Sequence, residues 1–207
     1  MKQSDIINKL NKIANTHFIE SNFSFFHKKP GLYESNGNYL SNAINHYKHE
    51  SFQIKVLKWF DRTWIYSTIE FNKSNSLKIQ SFSLSVFWGN EIDSEKKQLF
   101  RAEWDFYDDN EVHPQPHWHF YTNKEIDYLK NTFAEIIEEE ESKSFLEDLS
   151  EERSLNSFPI GKFHFAMNGK WSENLGHIQS YDDIEEFVNW FDGLLGHLRS
   201  QLLYSTE

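Results

Sequence analysis

Ionisable and aromatic side chains alternate along residues 101–120, which read RAEWDFYDDNEVHPQPHWHF. Side chains two residues apart lie on the same face of a β-strand. If the two ends of this segment pair as a hairpin with matched aromatic faces, five polar groups share the other face. They are a guanidinium, two carboxylates and two imidazoles, from Arg101, Glu103, Asp105, His117 and His119. Such groups side by side can bind a metal ion or transfer protons in catalysis.

The two histidines are spaced to act as metal ligands. Imidazoles at positions i and i+2 of a strand, here His117 and His119, can face one ion. A carboxylate from the neighbouring strand, Glu103 or Asp105, supplies a third ligand. His113, in a proline-rich loop just upstream, is a candidate fourth ligand or proton shuttle. The expected cofactor is one divalent metal: Zn, Mn, Fe or Ni.

One predicted function for this site is hydrolysis. A metal held by the histidines and one carboxylate would activate water, or a His/acid pair would do so without metal. In this interpretation His113 or the second carboxylate is the general base, and Arg101 neutralises an oxyanion or phosphate. A nuclease acting within a complex is one form of this prediction. The predicted catalytic residues are Arg101, Glu103, Asp105 and His113.

Two other interpretations of the same residues stay open. Histidines beside carboxylates also form polar networks that only stabilise a surface, and such networks need no metal. Alternatively, the protein is a non-catalytic interaction subunit whose polar face or acidic segment docks a partner. The sequence therefore leaves open whether the protein is an enzyme.

The pattern itself resembles a known group of proteins. R-x-E-x-D at 101–105, H-P-x-x-H-x-H at 113–119 and His164 before Trp171 are similar to uncharacterised bacterial domains near toxin–antitoxin and phage-defence genes. The resemblance covers residues 101–120 and one later strand. It implies a bacterial cytoplasmic protein that works beside a protein partner, and it transfers no established catalytic residue.

Composition excludes several classes of protein. Aromatic residues make up 17% of the 207, enough for a substantial core, and the mean hydropathy is -0.70. There is no cysteine, so disulfides, thiolate ligands and a cysteine nucleophile are excluded. No apolar run reaches the roughly 20 residues of a membrane helix. Residues 1–8 show no secretory pattern, and we expect a cytoplasmic protein without membrane association.

The net charge of -11 is concentrated in one segment. Residues 135–152 hold nine acids against the single lysine Lys143. We interpret residues 138–157 as an acidic, solvated insertion within one domain that spans residues 1–207. Basic residues elsewhere are scattered rather than clustered, so independent nucleic-acid binding is not expected.

Apolar spacing predicts an α+β protein. Three helices are predicted over 4–14, 122–137 and 180–202. Alternating patterns predict strands over 52–60, 64–72, 77–88, 100–107, 117–121 and 162–167. Residues 22–50 are predicted to form an irregular loop that caps the sheet. Short connections then predict a single antiparallel sheet of about five or six strands, with helices packed on one face.

Overall fold

The computed structural model describes residues 2–47, 50–74, 77–105, 116–121 and 184–206. These form, in chain order, α1 (Gln3–His17), β1 (Ser24–Lys29), β2 (Leu32–Asn36), β3 (Leu40–Tyr47), β4 (Glu50–Phe60), β5 (Thr63–Phe71), β6 (Ile79–Trp88), β7 (Lys97–Asp105), β8 (His117–Phe120) and α2 (Ile184–Thr206). The predicted helix over 122–137, the strand over 162–167 and the acidic insertion over 138–157 lie outside the described residues.

The described strands form one sheet, and the seven ladders between them are antiparallel. Its main path runs β1-β2-β5-β6-β7-β8, and the β3–β4 hairpin joins at β5. The α+β class is therefore confirmed. The predicted strand number is wrong, because the described residues alone form eight strands of the sheet rather than five or six.

The additional strands come from the segment predicted to be a loop. Residues 24–47 form β1, β2 and β3, and the Pro30-Gly31 dipeptide is the turn between the first two. Gly31 has a φ of +79°, a conformation that favours glycine. Few side chains of β1, β2 and β3 are buried, and these strands have no run of alternating apolar residues. That missing alternation is why their sequence resembles a loop.

Both helices pack on one face of the sheet. Phe82 in the middle of β6 contacts Phe187, Trp190 and Phe191 of α2, with each pair of ring centroids 5.5 Å apart. The buried stripe of α1, which includes Leu10, belongs to the same core. Trp104 on β7 and Trp118 on β8 also face this core, as the alternation predicts. None of the described helices is long and apolar enough to cross a membrane.

The opposite face of the sheet is partly covered by the β3–β4 hairpin. Ala43 and Ile54 from this hairpin pack with Tyr66 and Phe87 in a second, smaller core. Ser85 of β6 is buried under this hairpin. Its hydroxyl donates to Asn45 Oδ1 of β3 at 3.0 Å, and Gln98 of β7 donates to the same oxygen at 3.1 Å. These bonds hold the end of β3 against the two strands that lead to the candidate site.

Candidate functional site

The pairing of β7 with β8 brings the predicted polar residues together. Arg101 lies opposite His119, and Glu103 lies opposite His117. Ala102 pairs with Trp118, so the aromatic side of β8 turns toward the main core. Burial of that apolar side determines the orientation of the strand, because a shift of one residue would reverse its faces. The polar side chains consequently project from the other face of the hairpin.

Three potential ligand atoms meet at one point of this face. His117 Nε2 and His119 Nε2 are 2.8 Å apart. Glu103 Oε2 lies 3.1 Å from His119 Nε2 and 3.8 Å from His117 Nε2. Atoms about 2.0–2.2 Å from a common ion lie roughly 3–3.5 Å from one another, so these separations are close to those of a ligand set. The predicted convergence of both histidines with a carboxylate is confirmed, and the three residues could hold a metal ion.

The cluster is buried on the carboxylate side and open on the histidine side. Glu103 is 1% exposed, whereas the side chain of His119 is 40% exposed. His117 is intermediate, with 12% of its side chain exposed. A water molecule or small ligand can therefore approach the three atoms past His119.

Arg101 holds the carboxylate of Glu103 in place. Its Nε and one terminal nitrogen donate to Glu103 Oε2 at 3.0 and 2.7 Å. The other terminal nitrogen donates to the carbonyl oxygen of His46 at 2.8 Å and to the Tyr121 hydroxyl at 2.7 Å. The guanidinium also lies over the ring of Tyr47, 4.5 Å from its centroid. With 1% of its surface exposed, Arg101 contacts protein on each side and is positioned to orient Glu103.

The surroundings keep Glu103 ionised. Burial raises the pKa of its carboxyl group, which is the largest single influence. Hydrogen bonding to His119 and the charge of Arg101 act in the opposite direction and, with smaller contributions, hold the pKa well below its usual range. An ionised carboxylate is the form that binds metals. Oε1 of Glu103 is buried and forms no hydrogen bond of good geometry with a described residue.

A single proton cannot satisfy both short contacts within the Glu103, His117 and His119 cluster. His119 Nε2 is within bonding distance of both His117 Nε2 and Glu103 Oε2. Each ring nitrogen carries at most one proton, and a protonated nitrogen has no lone pair to accept another. One proton would therefore have to be shared between two contacts. A cation that binds the lone pairs of all three atoms would satisfy them together.

The other predicted site residues have different positions. Asp105 follows Glu103 on the same face of β7 and is buried, but it is not part of the described group of three ligand atoms. It lies close enough to Glu103 to influence the pKa of that group. His113, the predicted general base or fourth ligand, lies outside the described residues.

Two residues of the site were not predicted. Tyr121 lies two residues after His119, so alternation could have placed it beside the histidines. Its hydroxyl donates to the carbonyl of His46 at 2.6 Å, which ties β3 to the residue that follows β8. Tyr47, under Arg101, is at the end of β3. No local signal could have identified Tyr47, because its approach depends on the folding of the β3–β4 hairpin over the sheet.

Comparison of the chain with protein-family models, curated proteins and solved structures finds no match. The resemblance to uncharacterised bacterial domains therefore stays a prediction.

Proposed function

We propose that Glu103, His117 and His119 bind one divalent transition metal and that the protein is a metal-dependent hydrolase. The observation that carries this proposal is the convergence of two imidazole nitrogens and one carboxylate oxygen within 3.8 Å of one another. Two imidazoles and one carboxylate are a donor set that binds zinc in hydrolases. Three protein ligands leave a coordination position for water on the side where His119 is exposed.

The proposed reaction needs one activated water molecule. A metal bound by these three residues would lower the pKa of a water molecule toward neutrality, which would make hydroxide available to attack an ester or phosphoester centre. The bond from the water oxygen to that centre forms as the bond to the leaving group breaks. The proton released by the attacking water would pass to solvent on the side where His119 is exposed.

We assign Arg101 a positioning role rather than contact with the substrate. Its nitrogens bond to Glu103, to the His46 carbonyl and to Tyr121, and its surface is buried. An oxyanion or phosphate could reach it only if these bonds broke. Its charge instead keeps the carboxylate of Glu103 ionised and oriented for a metal.

The metal site is tested by elemental analysis and titration calorimetry on protein purified without a histidine tag. We expect one equivalent of metal per chain, lost on chelation and regained with added Zn²⁺ or Mn²⁺. His119→Ala and Glu103→Gln should each abolish tight binding, while His27→Ala, which changes an exposed histidine on β1, should leave it unchanged. Wild-type protein without metal affinity, or His119→Ala protein with full affinity, would contradict the proposal.

The reaction class is tested separately. Metal-loaded protein is assayed with 4-nitrophenyl acetate, 4-nitrophenyl phosphate and bis(4-nitrophenyl) phosphate. We expect turnover of at least one ester, and its loss in His119→Ala with little change in thermal stability. The same donor set can hold Fe(II) for oxygen chemistry. Stoichiometric iron with no ester hydrolysis would therefore argue for that chemistry against a hydrolase.

A non-catalytic interaction subunit is the second candidate function. It is supported by exposed apolar side chains on another part of the sheet, among them Phe26, Leu40 and Phe52. A metal-free protein that binds a partner would favour this candidate over the hydrolase.

A further inference from the structure

A groove opens where two hairpins separate from the same edge of β5. The β2 strand pairs with residues 68–70 of β5, and β4 pairs with residues 63–65 of β5. Between these two ladders the strands diverge and leave a groove of about 530 Å³, with Tyr66 of β5 among its lining residues. This groove is formed by other strands than those that carry the Glu103, His117 and His119 cluster.

The walls of the groove are strand edges. Residues 34–36 of β2 line one wall and residues 52–55 of β4 line the other. Consecutive residues of a strand point to alternate faces, so a wall that includes all of them runs along the edge of the strand. Both stretches lie at or beyond the last residue that pairs with β5. Among the described residues, 50–56 of β4 pair with β3 alone.

The backbone of β4 turns hydrogen-bonding groups toward the groove. Lys58 donates its N–H to the carbonyl of Tyr39, on the β3 side. Alternation along an antiparallel strand then directs the N–H and C=O groups of Leu57, Lys55 and Gln53 away from β3. At Leu57 these groups face β5, and at Lys55 and Gln53 they face the groove. Such an edge can pair with another extended chain.

Side chains along the groove indicate what kind of chain would fit. Phe26, Leu40 and Phe52 line it and are all exposed, which suits alternate apolar residues of a strand. The charge of Lys28 is neutralised by Glu34, whose Oε2 lies 2.6 Å from Lys28 Nζ. Lys55 Nζ instead donates a hydrogen bond to Oδ1 of the neutral Asn42 at 2.7 Å. Among the described lining residues one positive charge is therefore left without a carboxylate. An acidic residue on the incoming chain would complement it.

We propose that this groove binds an extended peptide segment of another protein, which pairs with the open edge of β4. The segment would have alternating apolar residues and at least one acidic residue that reaches Lys55. Backbone pairing would provide affinity, and the apolar and acidic side chains would provide specificity. This inference is independent of the proposed metal site, because it uses other strands and needs no metal.

The test uses synthetic ten-residue peptides in which valine or phenylalanine alternates with threonine and one glutamate is placed at each position in turn. Binding to the full chain is measured by fluorescence anisotropy. We expect saturable binding of some members below about 1 mM. Methylation of alternate backbone nitrogens of the same peptide, which removes donors on one edge, should abolish binding.

Variants of β4 make the test specific. Gln53→Pro removes one N–H that faces the groove without removing a bond to β3, and edge strands tolerate proline. It should weaken peptide binding about tenfold, whereas Gln53→Ala, which keeps the N–H, should change it less than about twofold. Lys55→Gln should weaken only peptides that carry glutamate. Circular dichroism establishes that each variant is folded.

Several outcomes would overturn the proposal. They are the absence of binding by every peptide in the set, equal binding of the backbone-methylated peptide, and unchanged binding to folded Gln53→Pro protein. Sedimentation equilibrium provides one more. A wild-type dimer that Gln53→Pro dissociates would assign the edge to a second copy of this chain instead.

Discussion

Glu103 is the residue on which the candidate site depends, and its ionised form depends on Arg101. The two side chains are almost completely buried, and Arg101 donates two hydrogen bonds to one carboxylate oxygen. Removing one member of a buried ion pair leaves an uncompensated charge, which costs more than removing both. Variants of Arg101 and Glu103 therefore test how much this ion pair contributes to the stability of the site before any metal binds.

We predict that Arg101→Met lowers the free energy of unfolding by about 3 kcal/mol at neutral pH. The double variant Arg101→Met with Glu103→Leu should lose less, because no buried charge is left unpaired. Urea denaturation of chelator-treated protein measures both values. A double variant at least as unstable as the single one would show that the pair contributes net stability rather than organisation.

Tyr66, in the groove, makes stability depend on pH in the alkaline range. Burial raises the pKa of its hydroxyl above the ordinary value of 10.0, and the neighbouring carboxylate of Glu34 raises it further. The neutral hydroxyl donates to Glu34 Oε2 at 3.0 Å. Because the folded-state pKa is the higher one, this stabilisation is complete below pH 10 and is lost as pH rises further.

We predict that wild-type protein loses stability between pH 9 and pH 11 more steeply than Tyr66→Phe protein. By pH 11 the pH-dependent loss in the free energy of unfolding should be about 1.4 kcal/mol larger for wild type than for Tyr66→Phe, because pH 11 is one unit above the unfolded-state pKa. Urea denaturation at each pH measures it. Tyr39→Phe, at an exposed tyrosine, serves as control and should keep the wild-type slope. Equal slopes for Tyr66→Phe and wild type would contradict the pKa shift.

At the scale of elements, Gly193 and Gly37 differ in whether their surroundings leave room for a Cβ atom. A Cβ at Gly193 of α2 would meet no described atom within 4 Å, so no contact among the described residues requires glycine there. A Cβ at Gly37, after β2, would lie 2.5 Å from the carbonyl oxygen of Ser21 and 2.9 Å from that of Asn22. Glycine weakens a helix interior by up to about 1 kcal/mol relative to alanine.

We therefore predict that Gly193→Ala raises the free energy of unfolding by up to about 1 kcal/mol. Gly37→Ala should lower it by about 1–3 kcal/mol, because two of the contacting atoms are backbone oxygens, which cannot rotate away. Thermal and urea denaturation measure both changes. A destabilised Gly193→Ala protein would mean that α2 is packed closely at this point.

At the scale of the whole molecule, β5 connects the two regions of the sheet for which functions are proposed. One of its edges leads through β6 and β7 to the cluster at Glu103, and its other edge divides between β2 and β4. The helices cover the face that carries Phe82 and Trp104. Chemistry and docking are thereby proposed for separate regions of a single sheet, so variants at one should leave the other unchanged.

Much of this arrangement follows from local patterns in the sequence. Alternation assigned Trp104 and Trp118 to the core face and Glu103, His117 and His119 to the opposite face, and the structure agrees. Helical spacing predicted α1 and the described part of the last helix. Such patterns are reliable because burial of one face imposes its period on the strand or helix that carries it.

Other features depended on the tertiary structure alone. The strands β1 to β3 have few buried residues and no apolar period, so their pairing in the folded sheet defines them. The register that sets Arg101 opposite His119, and the approach of Tyr47 to the guanidinium, depend on contacts between residues far apart in the chain. The sequence determined which side chains share a face. The fold decided which of them meet, because register and hairpin position follow from the packing of whole strands rather than from any local period.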